Sequence, residues 1–198
     1  IRENGRLRPA RWDEAFAAVA QKLKSTPADR VAAIVGDLVP AEAVKALKDL
    51  TAAIGSPHTD CRQDGAPLGG ERASYLFNSG IAGIERADRI LLIGTNPRVE
   101  APIINARIRK AWLADLGLKI GVIGESPKLT YDHERLGVGA ENFAQGADFL
   151  RGAERPLIIV GIGAIARTDG AAILAEIAAL AASAGAVKDG WNGFNILH

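Results

Sequence analysis

The sequence contains no methionine and a single cysteine, Cys61. One thiol excludes an internal disulfide framework. It also excludes an iron–sulfur cluster held by this chain's thiolates alone, since such clusters generally take four ligands. A reducing compartment suits this usage. With no methionine and Ile1 as first residue, the chain is expected to be a piece of a longer or processed protein. Aromatic residues are scarce, at 5%. Neither sign of charge dominates: 24 Lys and Arg against 23 Asp and Glu leave a formal net charge of +1. A nucleic-acid-binding surface needs a basic face and usually aromatic stacking groups, so no nucleic acid partner is expected. Long apolar runs are missing as well. The most hydrophobic stretch, 171–187, is mostly alanine and is interrupted by Glu176. It is too short and too weak to span a bilayer. The first residues alternate charged and apolar, without the apolar core of a signal peptide. The expectation is a soluble piece with no direct membrane insertion.

Recognisable catalytic motifs are absent too. There is no Gly-x-Ser-x-Gly elbow, no Cys–His spacing, no Walker motif and no His-Glu-x-x-His, and only three histidines occur. No catalytic residue is assigned.

What the sequence does have is material for a core: 198 residues, 48% of them hydrophobic. That is ordinary globular composition. The most informative stretch runs from Arg89 to Trp112, RILLIGTNPRVEAPIINARIRKAW. The apolar run Ile90–Ile93 stops at Gly94, as a buried strand would. A polar turn, Thr95-Asn96-Pro97-Arg98, follows. Ile104, Ile108 and Trp112 then recur four apart, as on a helix, with Pro102 in its first turn. In open parallel sheets such a strand–loop–helix junction is where ligands usually bind. Thr95, Asn96 and the backbone N–H groups beside them would suit a phosphate, with Arg98, Arg107 and Arg109 adding charge. Equally, Asn96-Pro97 could simply make the turn while the arginines lie solvated on the helix. Residue chemistry alone leaves both open.

Three further apolar runs end in glycine: 31–36, 118–124 and 156–161. Helical periodicity follows in Trp12-Phe16-Val19-Leu23, in Ala41 to Ile54, in 142–152 with Phe143, Ala147 and Leu150 inward, and in 169–184 with Ile173, Leu174, Ile177 and Leu180 inward. A short helix is expected over 71–78. Stretches 56–70 and 125–141 read as irregular. Strands alternating with helices predict an α/β fold with a largely parallel, Rossmann-like sheet and helices on both faces. Three weaker signals remain. His58, Asp60 and Cys61 could form half a metal site, but spacing supplies no fourth ligand and a polar surface loop is the simpler reading. His133, between Asp132 and Glu134, reads as an exposed charged turn rather than an acid–base pair. Gly161-Ile162-Gly163-Ala164-Ile165-Ala166 resembles the start of a dinucleotide fingerprint, with alanine in the third glycine's place and no acidic residue about 20 positions on in a following strand.

Several passages carry a stronger signal together. ERADRILLIGTNPRVEAPIINARIRKAWL, VAAIVGDLVPAEAVKALKDL, TYDHERLG, RTDGAAILA and the closing FNILH lie spread along most of the sequence. They resemble the C-terminal, molybdopterin-oxidoreductase-like region of the large iron–sulfur subunit of NADH:quinone oxidoreductases, respiratory complex I. The opening GRLRPARWDEAFAAVAQKL is similar to the first helix of the molybdopterin oxidoreductase superfamily. The resemblance implies a respiratory-chain role in electron transport from NADH to quinone. It implies partners in the other peripheral-arm subunits and in the N-terminal part of the same subunit, where the iron–sulfur clusters would lie. A place on the cytoplasmic face of the bacterial inner membrane follows from the same resemblance.

In the superfamily's enzymes the loop matching Gly94-Thr95-Asn96-Pro97 helps to bind a molybdopterin guanine dinucleotide. Proteins of the complex I type are understood to have kept the fold and lost that cofactor. The superfamily's usual Val-Asp-Pro-Arg after the next strand stands here as Gly124-Glu125-Ser126-Pro127-Lys128, without its acid and arginine. No cofactor, metal or catalytic residue is therefore expected in this fragment, a structural domain with a vestigial site. The arginines of 98–109 are expected to meet protein rather than cofactor. The alternatives are a fragment of an active molybdopterin oxidoreductase and a nucleotide-binding α/β module. A thiamine-diphosphate enzyme shares strands like RPLIIVGIGA but does not fit the Thr95 to Trp112 passage. The domain expectation is one such region over 1–198, divisible into two α/β lobes near 56–80. The end at His198 is expected to fall in mid-element and to leave an edge uncovered.

Overall fold

The computed structural model describes residues 1–36, 38–61, 65–125 and 128–198. The chain divides into two compact units, Ile1–Gln63 and Asp64–His198.

The first unit opens with a two-residue-per-strand hairpin and the helix α1, Trp12–Lys24. Its apolar stripe forms as the spacing predicts, yet Trp12, Phe16 and Val19 stay exposed, and the Trp12 and Phe16 rings lie against each other 5.5 Å apart. Strand β1, Ala32–Ile34, is joined through helix α2, Ala41–Ile54, to strand β2, His58–Asp60, and the two strands pair in parallel. Gly55 ends α2 at φ +81°, a left-handed conformation that glycine adopts without penalty. Ser56 N–H then reaches back to the Thr51 carbonyl, closing the last turn.

The second unit holds a five-stranded, wholly parallel sheet: β3, Arg89–Ile93; β4, Lys119–Ile123; β5, Glu134–Gly137; β6, Pro156–Gly161; and β7, Phe194–Leu197. The order across it is β7-β6-β3-β4-β5. The chain leaves β3 in one direction for β4 and β5, then returns to β3's other side for β6 and β7. This is the doubly wound arrangement, and its switch point lies between β3 and β6.

Burial on both faces explains why these strands are continuous apolar runs. On β3, Ile90 and Leu92 enter one layer, while Leu91 and Ile93 enter the other. The first layer is closed by Ile104, Ile108 and Ala111 of helix α3, Pro102–Ala114. The second is closed by Phe149 and Leu150 of α4, Phe143–Leu150, and by Ile173, Ile177 and Leu180 of α5, Gly170–Ser183. Fully burying each such aliphatic side chain contributes about 1.5–3 kcal/mol. The α/β architecture and the helices on both faces are as the sequence predicts.

Three strands lie outside the sequence expectation. β2 is short, polar and exposed throughout. β5 lies at the sheet edge within the stretch read as irregular, and its four residues are exposed or half-buried. β7 is short, but Phe194, Asn195 and Ile196 are buried. The helix expected over 71–78 is instead a single turn, Arg72–Ser74, followed by irregular chain that bridges Phe77 to Asn195 antiparallel. This segment covers the outer edge of β7: Ile196 N–H donates to the Leu76 carbonyl and Asn78 Nδ2 donates to the Phe194 carbonyl at 2.6 Å. The edge expected to be bare near His198 is thus covered over 194–196. Buried Asn195 completes the seam. Its Oδ1 accepts from the Ser79 N–H and hydroxyl, and its Nδ2 donates to the carbonyls of Ile158 and Gly193.

Candidate functional site

A cavity of about 650 Å³ opens at the carboxyl ends of β3, β4, β5 and β6, across the switch point where ligands of such sheets bind. Thr95 and Asn96 reach it from the loop after β3, Glu125 from the loop after β4, Gly139 and Ala140 after β5, and Gly163 and Arg167 after β6. Thr95 and Asn96, which the sequence singled out, are among the residues that line it.

Two loops cross closely beneath the cavity. Gly94, at φ +58°, has the Ala164 Cβ 2.6 Å from where its own Cβ would stand. A Cβ on Gly161 would lie 2.5 Å from the Gly94 carbonyl oxygen and 2.6 Å from the Thr95 Cβ, and one on Gly163 would lie 3.0 Å from the Gly94 oxygen. The glycines that resemble a dinucleotide fingerprint therefore have a packing reason in this fold: the β3 and β6 loops touch backbone to backbone.

Sequence reasoning missed the residue that organises the first loop. Pro97–Glu100 forms one helical turn, and the Glu100 carboxylate folds back over it. Its Oε1 accepts from the Asn96 N–H at 2.6 Å and its Oε2 from the Thr95 hydroxyl at 3.0 Å. Thr95 is only 7% exposed. The buried Oδ1 of Asn96 has no hydrogen-bond partner among the described residues. A sequence signal existed, since an acidic residue just after an Asn-Pro turn can reach back as in a capping box.

The arginines of 98–109 do not line this cavity. Arg98 donates to the Lys128 carbonyl, and Arg109 Nε donates to the Thr130 carbonyl, which fastens the loop after β4 to α3. Arg107 and Lys110 both hold Glu85, whose carboxyl sits below its usual range, with Lys110 the larger cause and Arg107 the second. They meet protein, namely this chain's own groups. Arg167 does line the cavity but grips Asp169 with two nitrogens, at 2.5 and 2.9 Å, and holds that carboxyl low. Behind α3, burial pushes the Tyr131 phenol up.

The other candidates do not assemble. His58 Nε2 lies 3.1 Å from the Asp29 carbonyl and the Cys61 thiol is exposed. Among the described residues no three His, Cys, Asp or Glu side chains are grouped as metal ligands. His133 rests its Nδ1 on the Tyr131 carbonyl at 3.3 Å, just before β5. Of the altered segment after β4, Glu125 and Lys128 face the cavity, while Ser126 and Pro127 lie outside the described residues. Among the described residues no helix is long and apolar enough to cross a membrane.

The family model described as molybdopterin oxidoreductase matches residues 1–198. An NADH-quinone oxidoreductase subunit of Rickettsia conorii is 41% identical, over 100% of this chain and 31% of its own length. The mitochondrial NADH dehydrogenase (ubiquinone) iron–sulfur protein 1 of Solanum tuberosum is 36% identical, over 98% of this chain and 27% of its own length. The chain thus spans less than a third of these relatives. Among solved structures, a chain of the formyltransferase/hydrolase complex of Methylorubrum extorquens shares the fold, with a TM-score of 0.58 at 18% identity, over 96% of this chain and 58% of that one.

Proposed function

Because the chain belongs to the molybdopterin oxidoreductase family, we propose that it is a cofactor-free structural region of the peripheral-arm iron–sulfur subunit of an NADH:quinone oxidoreductase. The observation that carries this reading is the 41% identity to an NADH-quinone oxidoreductase subunit along the whole chain. Electrons pass from NADH to quinone through centres held outside residues 1–198. This region packs against the cluster-bearing part of its own subunit and against neighbouring subunits, on the cytoplasmic face of the membrane in a bacterium. Two features support the absence of a resident cofactor. Two donors of the β3 loop, the Thr95 hydroxyl and the Asn96 N–H, are satisfied internally by Glu100, and the single cysteine is exposed and far too few for a cluster.

The test is elemental and chemical analysis of the purified chain. Molybdenum, iron and the fluorescence of oxidised pterin are expected to be absent, and stoichiometric amounts of any of them overturn the proposal. The second reading, an active molybdopterin oxidoreductase fragment, draws on the size of the cavity, and the same analysis decides between the two.

A further inference from the structure

The molybdopterin oxidoreductase family implies a cofactor carrying phosphate groups, and the donor chemistry of this cavity disagrees with one. We infer that Glu100 is the residue that closes the cavity to phosphate-bearing ligands. The inference rests on the reading above, that the site holds no cofactor, and adds the cause.

A phosphate needs N–H and O–H donors, arranged so that they are free to turn to it. In this chain two donors of the β3 loop at the cavity, the Thr95 hydroxyl and the Asn96 backbone N–H, are both spent on the Glu100 carboxylate. The carboxylate itself lines the cavity, so an incoming phosphate meets a like charge where it requires a donor. Two further groups are acceptors: the buried Oδ1 of Asn96, which has no partner among the described residues, and the Glu125 carboxylate. Of the cations that face the space among the described residues, Arg167 is already engaged with both oxygens of Asp169, leaving Lys128. Repulsion and donor loss act together, because the charge that repels is the one that consumes the donors. Glu100 also caps the turn, but a purely structural cap would have no consequence for ligand selection.

The decisive substitution is Glu100→Gln. It retains an acceptor oxygen for the cap, removes the charge and adds an N–H donor. The full chain is titrated with inorganic pyrophosphate and with GDP, used as probes of the phosphoanhydride class, while amide NMR shifts of Thr95, Asn96 and Gly163 are followed. Wild type is expected to show no saturable shift at millimolar probe. Glu100→Gln should bind at least tenfold more tightly, about 1.4 kcal/mol, with the shifts confined to those loops.

If neither protein binds, the inference falls and the cofactor-free reading stands. If wild type binds as tightly as the variant, the inference falls, and the cofactor-free reading falls with it. Shifts elsewhere in the chain also overturn it. Glu100→Ala, titrated in the same way, decides the matter if the glutamine variant does not fold.

Discussion

Replacing Gly161 with alanine separates two explanations of the glycine-rich turn after β6. Gly161 has φ −86° and ψ 159°, a conformation open to every L-residue, so Gly161→Ala probes space alone. The added methyl would stand 2.5 Å from the Gly94 carbonyl oxygen, 2.6 Å from the Thr95 Cβ and 3.0 Å from the Thr95 Cα. Two of these neighbours are backbone atoms, and no flexible side chain is there to swing aside. Relief requires the β3 and β6 loops to move apart, an overpacking cost of about 1–3 kcal/mol. For a unit of this size the melting temperature should fall on the order of 5–10 °C. Urea denaturation of the ligand-free chain supplies the free energy, with a lowered midpoint and an unchanged slope. Gly69→Ala is the control: it is exposed with nothing within 4 Å of its Cβ, and should change stability by no more than about 0.5 kcal/mol. If the glycine served phosphate approach instead, Gly161→Ala would be harmless without ligand. Equal midpoints for Gly161→Ala and wild type would falsify the packing account.

Two other perturbations test the frame around the site. Asn195→Ala takes the acceptor from the part-buried Ser79 N–H, at about 1–3 kcal/mol for a group left unsatisfied, while the Gly193 carbonyl keeps the Ile158 N–H. Hydrogen exchange should then accelerate first at Ser79, and unchanged protection there would refute the role given to Asn195. Glu85 is held low by Lys110 and Arg107, so its contribution is present above its unfolded-state value and is lost as pH falls through the lowered folded-state value. Urea midpoints of Glu85→Gln and wild type should accordingly differ near neutral pH and converge in strong acid. A pH-independent difference would contradict the ion-pair account.

The parts of the fold that were legible are those where one physical demand dominates. β3, β4 and β6 are buried on both faces, so their composition is almost purely aliphatic and their glycine ends stand out. α5 was read nearly to its boundaries because Ile173, Ile177 and Leu180 have one face to fill. The missed strands answer to a weaker demand. β5 is an edge strand, and Glu134 and Arg135 can be charged because solvent reaches them. Tyr75 to Asn78 resembles a helix in composition but is held in an irregular path by its bonds to a strand more than a hundred residues away. At the site, the loop was found because it follows a buried strand. Glu100 was overlooked because its effect lies in a back-folded hydrogen bond, which no periodicity announces. The three arginines drew attention by their charge, and the structure spends them on carbonyls and on Glu85.

The seam between Asn78 and Phe194 links positions 116 residues apart, and this sets an order of events during synthesis. At about 5–20 residues per second, the ribosome needs on the order of 10 s to deliver the second partner after the first. Until then β6 presents one bare edge to its surroundings, and the segment around Phe77 has nothing to pair with. The sheet can assemble from β3 outward as each helix emerges, but it cannot be sealed before β7 is made. A nascent chain stalled short of Phe194 should be the form that a chaperone recognises or that aggregates edge to edge.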